Sequence, residues 1–176
     1  MKHALLLFVA PALLFFASCG GGKKEESAAS MPGMMEVDFK INGNDVLIMV
    51  PDSTKGKMEL VEQSWGATEI KVGTDFQLSI EEGDGDVATV KGDITGNAVF
   101  KLQRYLKDEP EFLFWESKNA DLPGSRFHFY LITKIGAASY IIKDVENGDA
   151  NSEKIIQTMI DAAKTLKLKE AAKTNS

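Results

Sequence analysis

The chain has 176 residues, 44% of them hydrophobic and 26% charged, with a formal net charge of −6 at pH 7. That composition is ordinary for a globular protein and argues against a disordered or fibrous chain. The acidic balance, with Arg104 and Arg126 as the only arginines, excludes nucleic acid as a partner, because clustered cations that neutralise phosphate dominate that affinity.

The chain opens on a short basic start, Met1-Lys2-His3, followed by an apolar run of 14 residues from Ala4 to Ala17 that is interrupted in helical character by Pro11. A bilayer core needs about 20 apolar residues at 1.5 Å each, so the run is too short to span and reads as the hydrophobic part of a signal peptide over residues 1–18. It ends on Phe16-Ala17-Ser18-Cys19-Gly20, which resembles the lipobox of bacterial lipoproteins, with Phe16 where leucine is usual. The resemblance implies that Cys19 is lipidated by thioether-linked diacylglycerol and an acyl chain such as palmitate. It places the protein on a membrane of the bacterial cell envelope, the outer membrane being favoured by Gly20 after the cysteine. Each buried methylene contributes about 0.8 kcal/mol, so two or more chains make such attachment effectively permanent.

Residues 19–34 follow as a tether. Gly20-Gly21-Gly22-Lys23-Lys24-Glu25-Glu26-Ser27-Ala28-Ala29-Ser30 has no large apolar side chain to bury and reads as a flexible spacer, with Pro32-Gly33 closing it. One globular domain is then expected over 35–168, with a disordered tail over 169–176.

Within the domain, Met35, Val37, Phe39 and Ile41 alternate with polar residues, as in a half-buried strand, and Asn42-Gly43 marks a hairpin turn into a second strand, Val46 to Val50. Met58 to Gln63, Thr68 to Val72 and Phe76 to Ile80 read as three further strands. Val87, Val90 and Ile94 recur at helical spacing, which predicts a short helix capped by Asp84 or Asp86. Val99 to Leu106, Glu111 to Glu116, Arg126 to Ile135 and Ser139 to Val145 read as a four-strand meander, since short connections make antiparallel neighbours. After Ser152, the stripe Ile155, Ile156, Met159, Ile160, Ala163 and Leu166 opposes Glu153, Lys154, Gln157, Thr158, Asp161 and Lys164. This predicts an amphipathic helix of roughly 25 Å, with Lys164, Lys167 and Lys169 at its negative end.

The expected fold class is α+β: a mostly antiparallel sheet, a short middle helix, and a long C-terminal amphipathic helix packed on the sheet. This order of elements, closing on Ala162-Ala163-Lys164-Thr165-Leu166, resembles the PsbP-like fold across Met35 to Leu168. The resemblance implies a binding or accessory role and no enzymatic activity.

Candidate site residues are few. Arg126, His128 and Tyr130 alternate along one strand face opposite Phe127, Phe129 and Leu131, and with Arg104 from another strand they form a candidate anion-reading face. A solvated sheet face accounts for the same residues. Trp65 and Trp115 are candidate anchors for a partner protein or sugar, with core packing as the plainer alternative. One cysteine and, beyond His3, one histidine exclude Cys/His zinc sites and Cys–His dyads. The acidic turns Glu81 to Asp86 and Asp144 to Asn151 lack the glycine and closing glutamate of a calcium loop, so no metal and no cofactor is expected. Three readings of function stay open: an envelope lipoprotein that binds a protein partner, a small-ligand or lipid carrier with an apolar pocket between sheet and helix, and a carboxylate-dependent hydrolase.

Overall fold

The computed structural model describes residues 31–145 and 152–170. The expected signal peptide, Cys19, the tether as far as residue 30, the end of the second acidic turn (146–151) and the last six residues lie outside the described residues.

The strands in chain order are β1 (Met34–Ile41), β2 (Asn44–Pro51), β3 (Met58–Glu62), β4 (Thr68–Val72), β5 (Phe76–Glu82), β6 (Lys101–Glu109), β7 (Phe112–Lys118), β8 (Arg126–Ile135), β9 (Ala138–Asp144) and β10 (Lys167–Leu168). Two α-helices, α1 (Val87–Gly96) and α2 (Glu153–Ala163), complete the α+β architecture. All strand pairings are antiparallel, but they form two sheets where one was expected. The larger sheet has the order β3-β4-β5-β9-β8-β7-β6, and the smaller has the order β1-β2-β10.

The first hairpin turns on Asn42 (φ 47°) and Gly43 (φ 86°). Two consecutive left-handed residues make the turn whose twist matches that of the flanking strands, and Ile41 opposes Asn44 directly across it.

The main core lies on one face of the large sheet. Val37, Phe39 and Ile41 of β1 and Val46, Ile48 and Val50 of β2 pack with Ile156, Met159 and Ile160 of α2 against Leu78, Ile80, Phe129, Tyr140 and Ile142. Burying a side chain of that size stabilises by about 1.5–3 kcal/mol, so the apolar stripe of α2 is what holds the helix to the sheet.

Two features of the expected helices are corrected. Helix α2 has 11 residues, about 16 Å, and α1 has 10, so neither is long and the pair are nearly equal. The chain leaves α2 at Lys164-Thr165, where the last turn tightens: Thr165 N–H reaches Ala162 O and Leu166 N–H reaches Ala163 O. The Thr165 hydroxyl donates to Ala162 O at 2.6 Å and accepts from Met49 N–H at 2.8 Å, tying the helix end to β2. β10 then supplies the second edge partner of β2, with Lys167 opposite Leu47 and Leu168 opposite Val46. Lys167 and Lys169 accordingly lie beyond the helix end. Lys167 Nζ meets Glu36 Oε2 at 2.8 Å, and Lys169 pairs with Asp38 while its N–H reaches Asp45 O.

The opposite face of the large sheet carries α1 and a second, smaller cluster of Ile94, Leu113, Trp115 and Tyr130. Asp86 caps α1: its Oδ1 accepts from Ala88 N–H at 2.9 Å and its Oδ2 accepts from the Thr89 hydroxyl at 2.6 Å. Gly85 lets the chain run close to the sheet as it enters this helix, since a Cβ there would lie 2.6 Å from Tyr130 Oη and 2.8 Å from Ile132 Cδ1. Ile94 is the one buried residue of α1, and Lys91 adds an ion pair to Asp108 at 2.7 Å.

Candidate functional site

A cavity of about 300 Å³ lies between the C-terminal half of α1 and the strands β7, β8 and β9. Its position follows from strand parity. Trp115 and Ser117 of β7 and Arg126, His128 and Tyr130 of β8 project to the α1 side, while Phe112, Phe114 and Phe129 sit in the main core. Val90, Ile94 and Asn97 close it from the helix side, and Phe100 stands at its margin.

His128 and Asp144 form its most buried polar pair. His128 Nδ1 lies 2.8 Å from Asp144 Oδ2, and the two side chains are 12% and 3% exposed. A carboxylate only accepts, so the shared proton sits on Nδ1. The other oxygen, Oδ1, accepts Phe129 N–H at 2.9 Å. The last registered pair of the β8–β9 ladder is Tyr130 with Lys143, so Asp144 uses its side chain to continue a ladder that its backbone has left. The Trp115 ring packs on the His128 ring with centroids 5.4 Å apart and planes inclined by 31°, which fixes the imidazole from a second side.

The remaining polar groups are of mixed sign. The Arg126 guanidinium stands 4.7 Å from the centre of the Phe100 ring, within cation–π range. Lys143 Nζ is 4.0 Å from Glu81 Oε1, a loose pair. Asp93, on α1, has no ion-pair partner among the described residues. Ser117 is 2% exposed and lies on the cavity wall, and its hydroxyl has no hydrogen-bond partner among the described residues. A buried hydroxyl left without a partner costs about 1–3 kcal/mol, so a site that retains one is a place where a water or a ligand atom is expected. Burial also raises the Tyr130 phenol above its ordinary range, so the hydroxyl stays neutral against the chain at Gly85-Asp86.

The structure brings together four of the six candidate residues, Arg126, His128, Tyr130 and Trp115, and separates the other two. Arg104 does not join the face. Register shifts in β6 on both sides of it place Arg104 opposite Glu116, and its Nε donates to Glu116 Oε2 at 2.7 Å. Glu116 also accepts from the Ser125 hydroxyl at 2.5 Å, and these two donors, Ser125 first, hold its carboxyl below the usual range. Trp65 sits in the turn between β3 and β4, 66% exposed and remote from the cavity. Ser117, Lys143, Asp93 and Asp144 were not singled out as site residues by sequence reasoning. For Asp144 a signal existed: it continues the buried parity of Tyr140 and Ile142, which a surface turn residue has no reason to share. The cavity is not the expected apolar pocket between the sheet and the C-terminal helix; on that side the main core packs under most of α2, and a separate hollow of about 500 Å³ lies between the start of α2 and the sheet, lined by Met34, Pro51, Val72, Phe76, Ile155 and Thr158.

Among the described residues, no group of three histidine, cysteine or acidic side chains is placed to hold a metal ion. No described helix is long and apolar enough to cross a membrane. No family model, curated protein or solved structure matches this chain.

Proposed function

We propose that this chain is a lipid-anchored envelope protein whose domain binds a small ligand, without transforming it, in the cavity between α1 and the large sheet. The observation that carries the reading is the Ser117 hydroxyl, buried and unpartnered on the wall of a cavity that also holds Trp115 and Arg126. A volume of about 300 Å³ is at the lower end for small-molecule sites, which favours a metabolite over a lipid chain. Both oxygens of Asp144 are committed, to Phe129 N–H and to His128, and this speaks for a scaffolding role over acid–base chemistry. The lipobox-like segment ending at Cys19 supports membrane attachment, and the PsbP-like order of elements supports a binding role.

A second reading, docking of a protein partner, is favoured by the edge strand β3. Leu60, Val61 and the nearby Trp65 are exposed there, along a strand whose outer edge faces solvent.

The test is native mass spectrometry of the protein extracted in mild detergent from its own membranes. The proposal expects a small-molecule adduct on the wild type, lost in Ser117→Leu, which fills the cavity, and kept in Trp65→Ala. Recovery of a protein partner with no small molecule would favour the β3 reading instead. In the same cells, Cys19→Ala is expected to shift the protein out of the membrane fraction. Unchanged fractionation overturns the lipid anchor.

A further inference from the structure

The two sheets have four edge strands, β3 and β6 in the larger, β1 and β10 in the smaller. Three of them are guarded against pairing with another chain. β6 is broken by register shifts between Leu102 and Arg104 and between Tyr105 and Lys107, and β10 has two residues. β1 carries the exposed Glu36, Asp38 and Lys40, each held in an ion pair. Bulges, short length and charge are the ordinary means by which an edge is kept from recruiting a strand. β3 is built differently. It runs in unbroken register from Met58 to Glu62, contains no proline or lysine, and exposes Leu60 (41%) and Val61 (36%).

The direction of its backbone groups follows from the ladder it forms with β4. Gly73 N–H donates to Lys57 O at 3.1 Å, and Gln63 N–H donates to Ala67 O at 2.8 Å, at the two ends of that ladder. Hydrogen-bonded pairs alternate between antiparallel strands, so Glu59 and Val61 also turn their N–H and C=O groups to β4. Met58, Leu60 and Glu62 turn theirs outward. The side chains of these same residues lie on the face of their partners Val72, Ile70 and Thr68, the face that bears the main core. An incoming strand therefore meets unpaired backbone groups at strand spacing and a side-chain row that reads apolar, apolar, acidic. Glu59 is paired with Lys57 at 2.9 Å, whereas Glu62 has no ion-pair partner among the described residues.

Resting on the docking reading of β3 above, we propose that the partner supplies an extended peptide segment that adds to the large sheet beside β3. The segment carries apolar residues opposite Met58 and Leu60 and a cation opposite Glu62; the backbone groups give affinity and the alternate side chains give specificity. A second copy of this chain fits worse. Two-fold symmetry gives both members of an opposed pair the same hydrogen-bonding type, so they stand an even number of residues apart in sequence. Neither Lys55 nor Lys57 meets that condition with Glu62, and the carboxylate would stay without a cation opposite it.

The probe is the blocked peptide Lys-Thr-Val-Thr-Val, made also in reversed order so that both strand directions are offered. Each is titrated into the full-length labelled protein in mild detergent, and amide hydrogen exchange is read residue by residue. The amides of Met58, Leu60 and Glu62 are expected to gain protection, while those of Glu59 and Val61, already bonded to β4, change little. A backbone N-methyl group on the central valine, which faces Leu60, removes a donor and should weaken binding at least about tenfold. Glutamate in place of the peptide's lysine should weaken it about twofold to fivefold, and less at high salt. Leu60→Pro removes an N–H that points to solvent, which an edge strand tolerates, so binding should be lost with a urea midpoint close to that of the wild type. Leu60→Lys keeps the backbone intact and serves if the proline variant unfolds; it should lose most of the binding through the charge placed on the edge.

Equal binding of the N-methylated peptide, or protection that does not alternate along β3, overturns strand addition. So does a lack of protection with both peptides at their highest soluble concentration. Amides of Met58, Leu60 and Glu62 that are protected without peptide and exposed on dilution identify a second copy as the occupant and overturn the partner segment. If an envelope protein captured with the wild type is lost in Trp65→Ala but kept in Leu60→Pro, docking at the β3–β4 turn stands and strand addition alone fails. If neither peptide nor envelope protein depends on β3, the docking reading fails with it. The cavity under α1, lined by β7, β8 and β9, is untouched by any of these results.

Discussion

Removing the Asp144 carboxylate tests whether the pair with His128 is what organises the cavity floor. Asp144→Ala leaves two donors without an acceptor: the N–H of the fully buried Phe129 and the Nδ1–H of His128. Each costs about 1–3 kcal/mol, so the loss is about 2–6 kcal/mol, a large share of the 5–15 kcal/mol that holds a domain together. Asp144→Asn keeps an oxygen for Phe129 N–H and forfeits only the contact to His128, which halves the expected loss to about 1–3 kcal/mol. With a urea slope of about 2 kcal/mol per molar, the alanine variant moves the unfolding midpoint down by about 1–3 M and the asparagine variant by about half as much. Circular dichroism during urea titration reads both values. If the two variants unfold within 0.5 kcal/mol of the wild type, or if asparagine costs as much as alanine, the account of Asp144 as a substitute ladder acceptor is wrong.

Three other outcomes follow from the packing. Gly73 (φ +61°) and Gly124 (φ +82°) share a left-handed backbone, but a Cβ at Gly73 would lie 2.4 Å from Lys55 O while one at Gly124 meets open space. Gly124→Ala should therefore cost about 1 kcal/mol from the backbone alone, and Gly73→Ala clearly more, as thermal unfolding would show. Ile156→Ala, at a fully buried position of α2, should cost about 2–5 kcal/mol by chemical denaturation, a loss that a loosely docked helix would not show. The lowered pKa of Glu116 makes a pH prediction. A carboxyl whose folded pKa lies below its unfolded value of 4.5 adds stability above pH 4.5 and loses it as pH falls through the folded pKa. The stability gap between wild type and Glu116→Gln should thus be full at neutral pH and close on acidification. A gap that stays constant from neutral to strongly acidic pH would show that Ser125 and Arg104 do not act through the charge.

What the sequence revealed, and what it hid, follows from the range of the interactions involved. The β1–β2 hairpin depends on Asn42-Gly43 and on alternation within a few residues, and both can be read locally. The same holds for the α2 stripe and for the Asp86 cap. The point where α2 ends does not, because Leu166 and Leu168 continue an acceptable helical pattern. What diverts them is a remote partner, the open edge of β2 and the Thr165 contact to Met49 N–H. In the sequence, Arg104 joins Arg126 only as a second arginine on another strand, with nothing to fix which way it faces. The bulges on either side of it in β6 turn it toward Glu116, and a one-residue shift reverses the face of every side chain that follows. Three of the residues proposed as a face, Arg126, His128 and Tyr130, do come together, with the separately proposed Trp115 opposite His128, since they lie on β8 and β7 in register. The cavity itself was hidden, because it is made by α1 lying over strands that follow it in the chain, and no local pattern encodes that placement.

The central claim is that the α1 side of the large sheet is a binding site for a small molecule. The most direct measurement is an amide shift map of the labelled protein titrated with the small-molecule fraction extracted from its own envelope. The account predicts saturable shifts centred on Ser117, Arg126, His128 and Lys143, absent in Ser117→Leu. Shifts confined to β3 and Trp65, or none on the α1 side at a concentration that saturates the extract's effect, would contradict it.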